Sequence, residues 1–211
     1  MTKLDQLRLL LVDDHPPIRE AVRRRLEAVP RFKVVGEAGD IRGALTQIPT
    51  LSPDLAVIDI GLGRASGLFL ARVLQDQHPD TRVLIWSMHD NRRYVAAARK
   101  AGARGYVLKS GPTGEIVRAV EVVAEGGCYY SAGLDQASIP TPDLTPREAQ
   151  ILRHVARGIP SSKIAKQLKI DCRTVETHRR NIMSKLDANN TADLIMIAVG
   201  IGLLNIHDFI E

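Results

Sequence analysis

Between Arg8 and about Gly127 five short strand candidates, Leu9 to Val12, Lys33 to Val35, Leu55 to Ile58, Val83 to Trp86 and Gly105 to Leu108, alternate with five segments of helical period. This alternation constrains the chain more than any other feature. Strands each followed by a helix return to one sheet as parallel neighbours, and the helices cover both of its faces. The helical segments are Pro17 to Ala28, Ile41 to Ile48, Gly67 to Gln77, Arg92 to Ala101 and Thr113 to Glu125. In the first, Ile18, Ala21, Val22 and Leu26 share one face opposite Arg19, Arg23 and Arg24, which is a 3.6-residue period. Arg23-Arg24-Arg25 accordingly reads as a solvated helix face.

The pattern changes beyond this region. Ser131 to Pro142 carries prolines, a glycine and small polar residues without periodicity and reads as a linker. From Thr145 onward every segment is helical. A chain of 211 residues accommodates two domains of ordinary size, each with its own core. The expected boundaries are 5–127 for an α/β doubly wound domain with a parallel five-stranded sheet, 128–142 for the linker and 143–208 for an all-α four-helix domain.

The net charge of +5 is unevenly placed. Arg147 to Lys185 holds 10 lysines and arginines against 3 acidic residues, whereas Met1 to Tyr130 holds 19 against 15. So basic a folded segment points to a polyanion partner, although charge alone does not separate DNA from RNA or an acidic protein. The longest apolar stretch, Leu194 to Val199, is far short of the roughly 20 residues that span a bilayer, and the N-terminus lacks a signal-peptide core. A cytoplasmic location with no membrane contact is expected. Cys128 and Cys172 fit a reducing compartment, read as structural and offer no metal-ligand spacing. The histidines show no paired spacing for zinc either.

In a doubly wound sheet the ligand site forms at the carboxyl ends of the strands. Here the first strand ends in Asp13 and Asp14, the third in Asp59, the fourth in Ser87 and the fifth in Lys109. Three carboxylates in one crevice repel one another unless a cation neutralises them, and an all-oxygen site suits Mg²⁺. A lysine and a hydroxyl opposite the cation supply charge and a donor for the equatorial oxygens of a phosphoryl group. Any one of these residues is equally well a polar strand terminus. The set of five at matching strand ends points to phosphate chemistry.

Leu11-Val12-Asp13-Asp14-His15, Asp54-Leu55-Ala56-Val57-Ile58-Asp59 and Gly102-Ala103-Arg104-Gly105-Tyr106-Val107-Leu108-Lys109 resemble the motifs of two-component receiver domains, over about Leu7 to Gly127. The resemblance implies strand order 2-1-3-4-5 and phosphorylation of Asp59 by a sensor histidine kinase. It further implies Mg²⁺ held by Asp14 directly, by Asp13 through water, by Asp59 and by the Gly61 backbone carbonyl. Ser87 and Lys109 would sense the phosphoryl group, and Tyr106 would change rotamer with them. Leu62-Gly63 departs from the family's usual Met-Pro, so the loop from Gly61 to Arg64 is expected to be looser. Gly61-Leu62-Gly63 is no nucleotide fingerprint, since it follows an acidic strand end and lacks the third glycine. His15 reads as a solvated loop residue rather than a general base.

In the second domain Thr145-Pro146-Arg147-Glu148 opens a helix with an N-cap, a proline at the first position and a capping-box glutamate. Helices over about Ser161 to Leu168 and Cys172 to Leu186, the latter capped by Asp171, form a helix-turn-helix. Val175, Ile182 and Leu186 share the inner face of the longer helix, while Arg173, Glu176, Thr177, Arg180 and Ser184 project away. Arg180 suits guanine, Glu176 cytosine and Thr177 a thymine methyl, with Lys163, Arg173, Arg179 and Lys185 on phosphates. Each charge taken singly is equally a solvated surface position.

Leu144-Thr145-Pro146-Arg147-Glu148, Ile164-Ala165, Thr174-Val175-Glu176-Thr177-His178 and Lys185-Leu186 resemble the LuxR-type helix-turn-helix. With the receiver, the chain resembles the NarL/FixJ family. That resemblance implies double-stranded DNA as partner, with Thr174 among the DNA-facing residues. It also implies a homodimer formed through a last helix capped by Asn190, with Leu194, Ile195 and Ala198 at the interface. Pro160 and Lys163 stand where the family favours Ser and Glu, and Lys169 and Asp187 where Gly is common. Two other readings remain open. A phosphorylation-independent regulator with an atypical receiver is motivated by Leu62-Gly63. A phosphatase using Asp59 in turnover is disfavoured, because Gly61 stands where a second catalytic aspartate would be needed.

Overall fold

The computed structural model describes residues 6–63, 65–112, 114–134, 143–204 and 208. The chain divides into two compact units, Met1–Ala137 and Ser138–Glu211.

The first unit contains β1 (Leu7–Val12), α1 (Pro16–Glu27), β2 (Phe32–Ala38), α2 (Ile41–Leu51), β3 (Leu55–Ile58), β4 (Gly61–Leu62) and β5 (Ala65–Ser66). There follow α3 (Gly67–Gln77), β6 (Arg82–Ser87), α4 (Arg92–Lys100), β7 (Gly105–Leu108), α5 (Glu115–Ala124) and β8 (Tyr129–Tyr130). The main sheet runs β2-β1-β3-β6-β7-β8, all neighbours parallel. With the small β4-β5 hairpin set aside, its first five members have the expected order 2-1-3-4-5. The sixth is a short strand at the start of what the sequence presents as linker.

Side chains alternate across each strand, so Leu9, Leu11, Val57, Leu84 and Val107 form one layer with Val22 and Leu26 of α1 and Ile116, Val120 and Val123 of α5. Leu10, Ala56, Ile58 and Ile85 are buried on alternate positions. Each fully buried aliphatic side chain contributes about 1.5–3 kcal/mol, and burial on both faces explains why these strands read as continuous apolar runs. The second helix continues past the expected stop at Ile48. Pro49 lies in its final turn, and the helix closes at Ser52 in the left-handed region (φ 41°), whose N–H reaches the Ile48 carbonyl.

Two glycines shape the surroundings of Asp59. A Cβ on Gly67 would overlap the Asp59 carbonyl, so only glycine lets α3 start directly behind that strand end. Gly63 (φ 63°) turns the antiparallel β4-β5 pair. The loop after Asp59, expected to be loose, is thus tied as a hairpin.

The second unit is built from α6 (Pro146–Ala156), α7 (Ser161–Leu168), α8 (Cys172–Leu186) and α9 (Thr191–Gly200). Thr145 and Glu148 form the anticipated capping box, Asp171 accepts from the Arg173 N–H, and Asn190 accepts from the Asp193 N–H. The start of α7 has no side-chain cap, as Pro160 requires. Ile151, Leu152, Ile164, Val175, Ile182, Leu186 and Ile197 fill the core. Leu194 and Ala198, expected at a subunit interface, are 1% and 0% exposed and belong to that core. The helical period turns them inward and leaves Ile195 and Met196 half-buried. Cys128 and Cys172, expected to be structural, are free and exposed. Among the described residues no helix is long and apolar enough to cross a membrane.

Candidate metal centre and candidate nucleic-acid interface

The strand ends bring Asp13, Asp14, Asp59, Ser87 and Lys109 to one edge of the sheet. Lys109 Nζ lies 2.7 Å from Asp13 Oδ2 and 2.7 Å from Asp59 Oδ2, and these side chains are 6%, 4% and 10% exposed respectively. Burial pushes the Asp59 carboxyl above its ordinary range; the Lys109 ammonium opposes this, and the Asp13 charge reinforces it. Lys109 Nζ also stands 5.2 Å from the centre of the Trp86 ring.

The two oxygens of Asp14 differ. Oδ2 accepts from the Gly63 N–H at 2.9 Å, a donor that a proline at this position would lack. Oδ1 is buried and has no hydrogen-bond partner among the described residues. It faces the His15 ring nitrogen at 2.7 Å, and with the Asp13 and Asp59 carboxylates beside it the clustered negative charge fits a divalent metal. Ligand atoms of Asp13, Asp14, His15 and Asp59 all lie within 4.8 Å of one another. Gly61 borders the same cluster, since a Cβ built on it would sit 3.9 Å from Asp59 Oδ2.

His15, read from the sequence as a solvated loop residue, is exposed and also faces the carboxylates. It occupies the N-cap of α1 in an extended conformation without capping through its side chain. Its N–H donates to Asp13 Oδ1 at 2.8 Å, and its ring turns back so that Nδ1 lies 2.7 Å from Asp14 Oδ1 and 3.5 Å from Asp13 Oδ1. The signal was its place directly after two aspartates and before Pro16-Pro17, which fix the helix start. Arg19 supports the same corner: Nη1 donates to the Asp13 carbonyl, and Nε donates to Glu37 at 3.0 Å.

A second network lies beside Lys109. Ser87 is wholly buried, and its Oγ accepts from the His89 N–H at 3.3 Å. Tyr106 is wholly buried too, and its hydroxyl donates to the His89 carbonyl at 2.6 Å. Burial pushes the Tyr106 phenol well above its usual range. The His89 ring stacks on Tyr94 with centroids 4.3 Å apart. The residues between β6 and α4 are thereby fastened to β7.

In the second unit, Arg173, Thr174, Glu176, Thr177 and Arg180 are exposed on α8, and Lys163 is exposed on α7. Two residues expected on phosphates have partners within the unit. Arg179 donates to Ser161 Oγ at 2.8 Å and to Thr191 Oγ1 at 3.3 Å, joining the starts of α7 and α9 to α8. Lys185 Nζ lies 2.7 Å from the buried Glu148 Oε2 and 3.2 Å from the Asp143 carbonyl. Burial works against the Glu148 charge, but Lys185 and the Thr145 donors hold its carboxyl below the usual range. Both basic side chains therefore brace the helices that present the exposed ones.

Residues 9–121 match the response regulator receiver domain, and residues 142–198 match the bacterial regulatory proteins of the luxR family. The transcriptional regulatory protein MctR of Rhizobium johnstonii is 36% identical over 97% of this chain and 99% of its own. The transcriptional regulatory protein UhpA of Escherichia coli is 34% identical over 87% of this chain and 93% of its own. RcsB of Salmonella enterica serovar Typhimurium, solved bound to a promoter in the presence of the phosphomimetic BeF3⁻, shares the fold with a TM-score of 0.74 at 23% identity, covering 93% of this chain and 99% of that one.

Proposed function

The chain belongs to the NarL/FixJ family of two-component response regulators, and from that membership we propose that phosphorylation of Asp59 by a sensor histidine kinase controls promoter binding by α8. The protein is a DNA-binding transcriptional regulator of the receiver and helix-turn-helix type, not a turnover enzyme. In this reading 5–127 is the receiver, 128–142 the linker and 143–208 the DNA-binding domain, working in the cytoplasm.

The observation that carries the proposal is the pairing of one buried lysine, Lys109, with both Asp13 and Asp59. An Asp59 oxygen attacks the phosphorus of a phosphohistidine, the P–N bond breaks, and the imidazole leaves as an acyl phosphate forms. Asp14, Asp59 and the Gly61 carbonyl would hold Mg²⁺ directly and Asp13 through water; bound there, the ion neutralises the carboxylates and the charge on the equatorial oxygens. Asp59 then no longer holds the Lys109 ammonium as a carboxylate, and Lys109 turns to a phosphoryl oxygen. Ser87 takes another, giving up the His89 N–H, and Tyr106 follows through its bond to the His89 carbonyl. That exchange biases the face of the receiver between two arrangements.

On DNA, Arg180, Glu176 and Thr177 read base edges while Arg173, Thr174 and Lys163 set register on phosphates. Arg179 and Lys185 support the reading helix from within. Dimerisation through α9 then falls to Ile195, with Met196 beside it, because Leu194 and Ala198 serve the core. One observation favours phosphorylation-independent regulation as a second reading: the Gly63 N–H already engages a carboxylate oxygen of Asp14.

Intact-protein mass measurement after incubation with acetyl phosphate and Mg²⁺ separates the two. The first reading expects one phosphoryl adduct, absent in Asp59→Asn, together with tighter promoter binding and a shift to dimer. No adduct under conditions that label a control receiver selects the second.

A further inference from the structure

Resting on the phosphorylation of Asp59 proposed above, we infer that Trp86 is a positioning residue for that step: the face of its ring holds the Lys109 ammonium over the acceptor through a cation–π contact. Alternation along the strands builds the contact. Trp86 pairs with Val107 in register, and Lys109, two residues after Val107, returns to the same face of the sheet. From there its Nζ comes within 5.2 Å of the centre of the ring, inside the range over which an ammonium is drawn to an aromatic face.

An ammonium carries three donors and accepts nothing. Asp13 Oδ2 and Asp59 Oδ2, each at 2.7 Å, engage two sides of Nζ, and the ring flanks it as well. The Lys109 side chain is 6% exposed, which leaves water little room to take the place of the ring. A cation–π contact is strongest when desolvated in this way.

The three partners respond differently to phosphorylation. Asp59 loses its carboxylate charge to the acyl phosphate, and Asp13 by itself would draw the ammonium toward the end of β1. The ring stays as it was. Trp86 is buried in one core layer with Leu84, Val107 and Val120, so its pull on the ammonium does not depend on the state of the acceptor. The four-carbon stem of a lysine is flexible. Confining its ammonium between Asp13 and a fixed ring keeps it in reach of the incoming phosphoryl oxygens, and positive charge already in place there lowers the barrier. An aliphatic side chain at this position would serve the core but offer no such face.

Trp86 is the only tryptophan of the chain, so fluorinated tryptophans supplied during expression replace it alone. Ring fluorines withdraw charge from the π face while barely changing its size, and so weaken the contact without emptying the core. In the full chain, with acetyl phosphate and Mg²⁺, the rate of adduct formation read by intact mass is expected to fall stepwise from native to mono- and then difluorinated protein. Trp86→Met, apolar but without a face, is expected to slow it about threefold or more, and Trp86→Phe to recover part of that loss. The fluorine series decides the matter even where Trp86→Met loosens the core. A rate indifferent to fluorine, or an equal loss in Trp86→Met and Trp86→Phe, overturns the inference while leaving phosphorylation of Asp59 standing, and reduces Trp86 to a filler of the core. Absence of any adduct on the native chain, under conditions that label a control receiver, overturns the phosphorylation reading and this inference together.

Discussion

The Tyr106 hydroxyl donates to the backbone carbonyl of His89 at 2.6 Å while the ring is wholly buried. Removing that donor in Tyr106→Phe leaves a carbonyl without its partner and is expected to cost about 1–2 kcal/mol, read as a lower urea midpoint by Trp86 fluorescence. The alkaline limb should change as well. Burial raises the folded phenol above its ordinary 10.0, so its contribution is full below pH 10 and is lost as pH rises toward the folded value. The variant is expected to flatten this limb. Tyr129, raised by burial and by Glu115, keeps a residual slope.

Asp59 is a buried carboxyl held above its ordinary value, so its favourable contribution belongs to the neutral form. That contribution is complete at pH values below the ordinary carboxyl titration and lost as pH rises through the folded one. Asp59→Asn supplies a neutral side chain at every pH. Its urea midpoint at pH 7 is expected to exceed that of the native chain, with the difference shrinking in acid. An Asp59→Asn midpoint below the native value at pH 7 would show that the Lys109 pair outweighs burial.

Glu148 has the opposite sign. Its lowered carboxyl contributes stability above the ordinary carboxylate range, and this is lost as pH falls through the folded value. Glu148→Gln retains a capping side chain but removes the charge facing Lys185, and is expected to cost about 1–2 kcal/mol at pH 7. Far-UV circular dichroism is the suitable probe, because the tryptophan and all the tyrosines lie in the first unit. Native and variant chains should converge in acid.

Neighbouring arginines on α8 should separate cleanly. Arg180→Ala is expected to weaken binding to the cognate promoter by about 1–3 kcal/mol in fluorescence anisotropy without moving the thermal midpoint. Arg179→Ala breaks the bonds to Ser161 and Thr191 and is expected to lower that midpoint. A midpoint unmoved in Arg179→Ala, with DNA affinity reduced, would return Arg179 to the binding face.

The parts of this molecule legible in the sequence are those set by periodicity and by short-range chemistry. The five strands, the Thr145-Glu148 capping box and the Asp171 and Asn190 caps follow from residue type and spacing. The positive φ of Lys169 and Asp187, 53° and 50°, is instead what the family resemblance implies, since glycine is common at both positions. What escaped was tertiary. A period identifies the face of α9 that is apolar, but not that Leu194 and Ala198 are consumed by their own core. Charge density marks α8 as basic without revealing that Arg179 and Lys185 have partners on other helices. The orientation of His15 depends on a ring torsion that no pattern encodes, and the Gly63 amide acquires its role only once a hairpin folds it over Asp14.

The sixth strand pairs Tyr129 with Gly105 and Tyr130 with Tyr106. Directly after it, the Ser131 N–H donates to the Tyr106 carbonyl at 2.9 Å, and Ser131 Oγ accepts from the Leu108 N–H at 3.1 Å. The polypeptide that goes on to the DNA reader is moored to the very strand that presents Tyr106 and leads into Lys109. Any shift of that strand therefore carries Ser131 with it, so the acceptor's surroundings and the residues that leave the sheet share one set of backbone bonds.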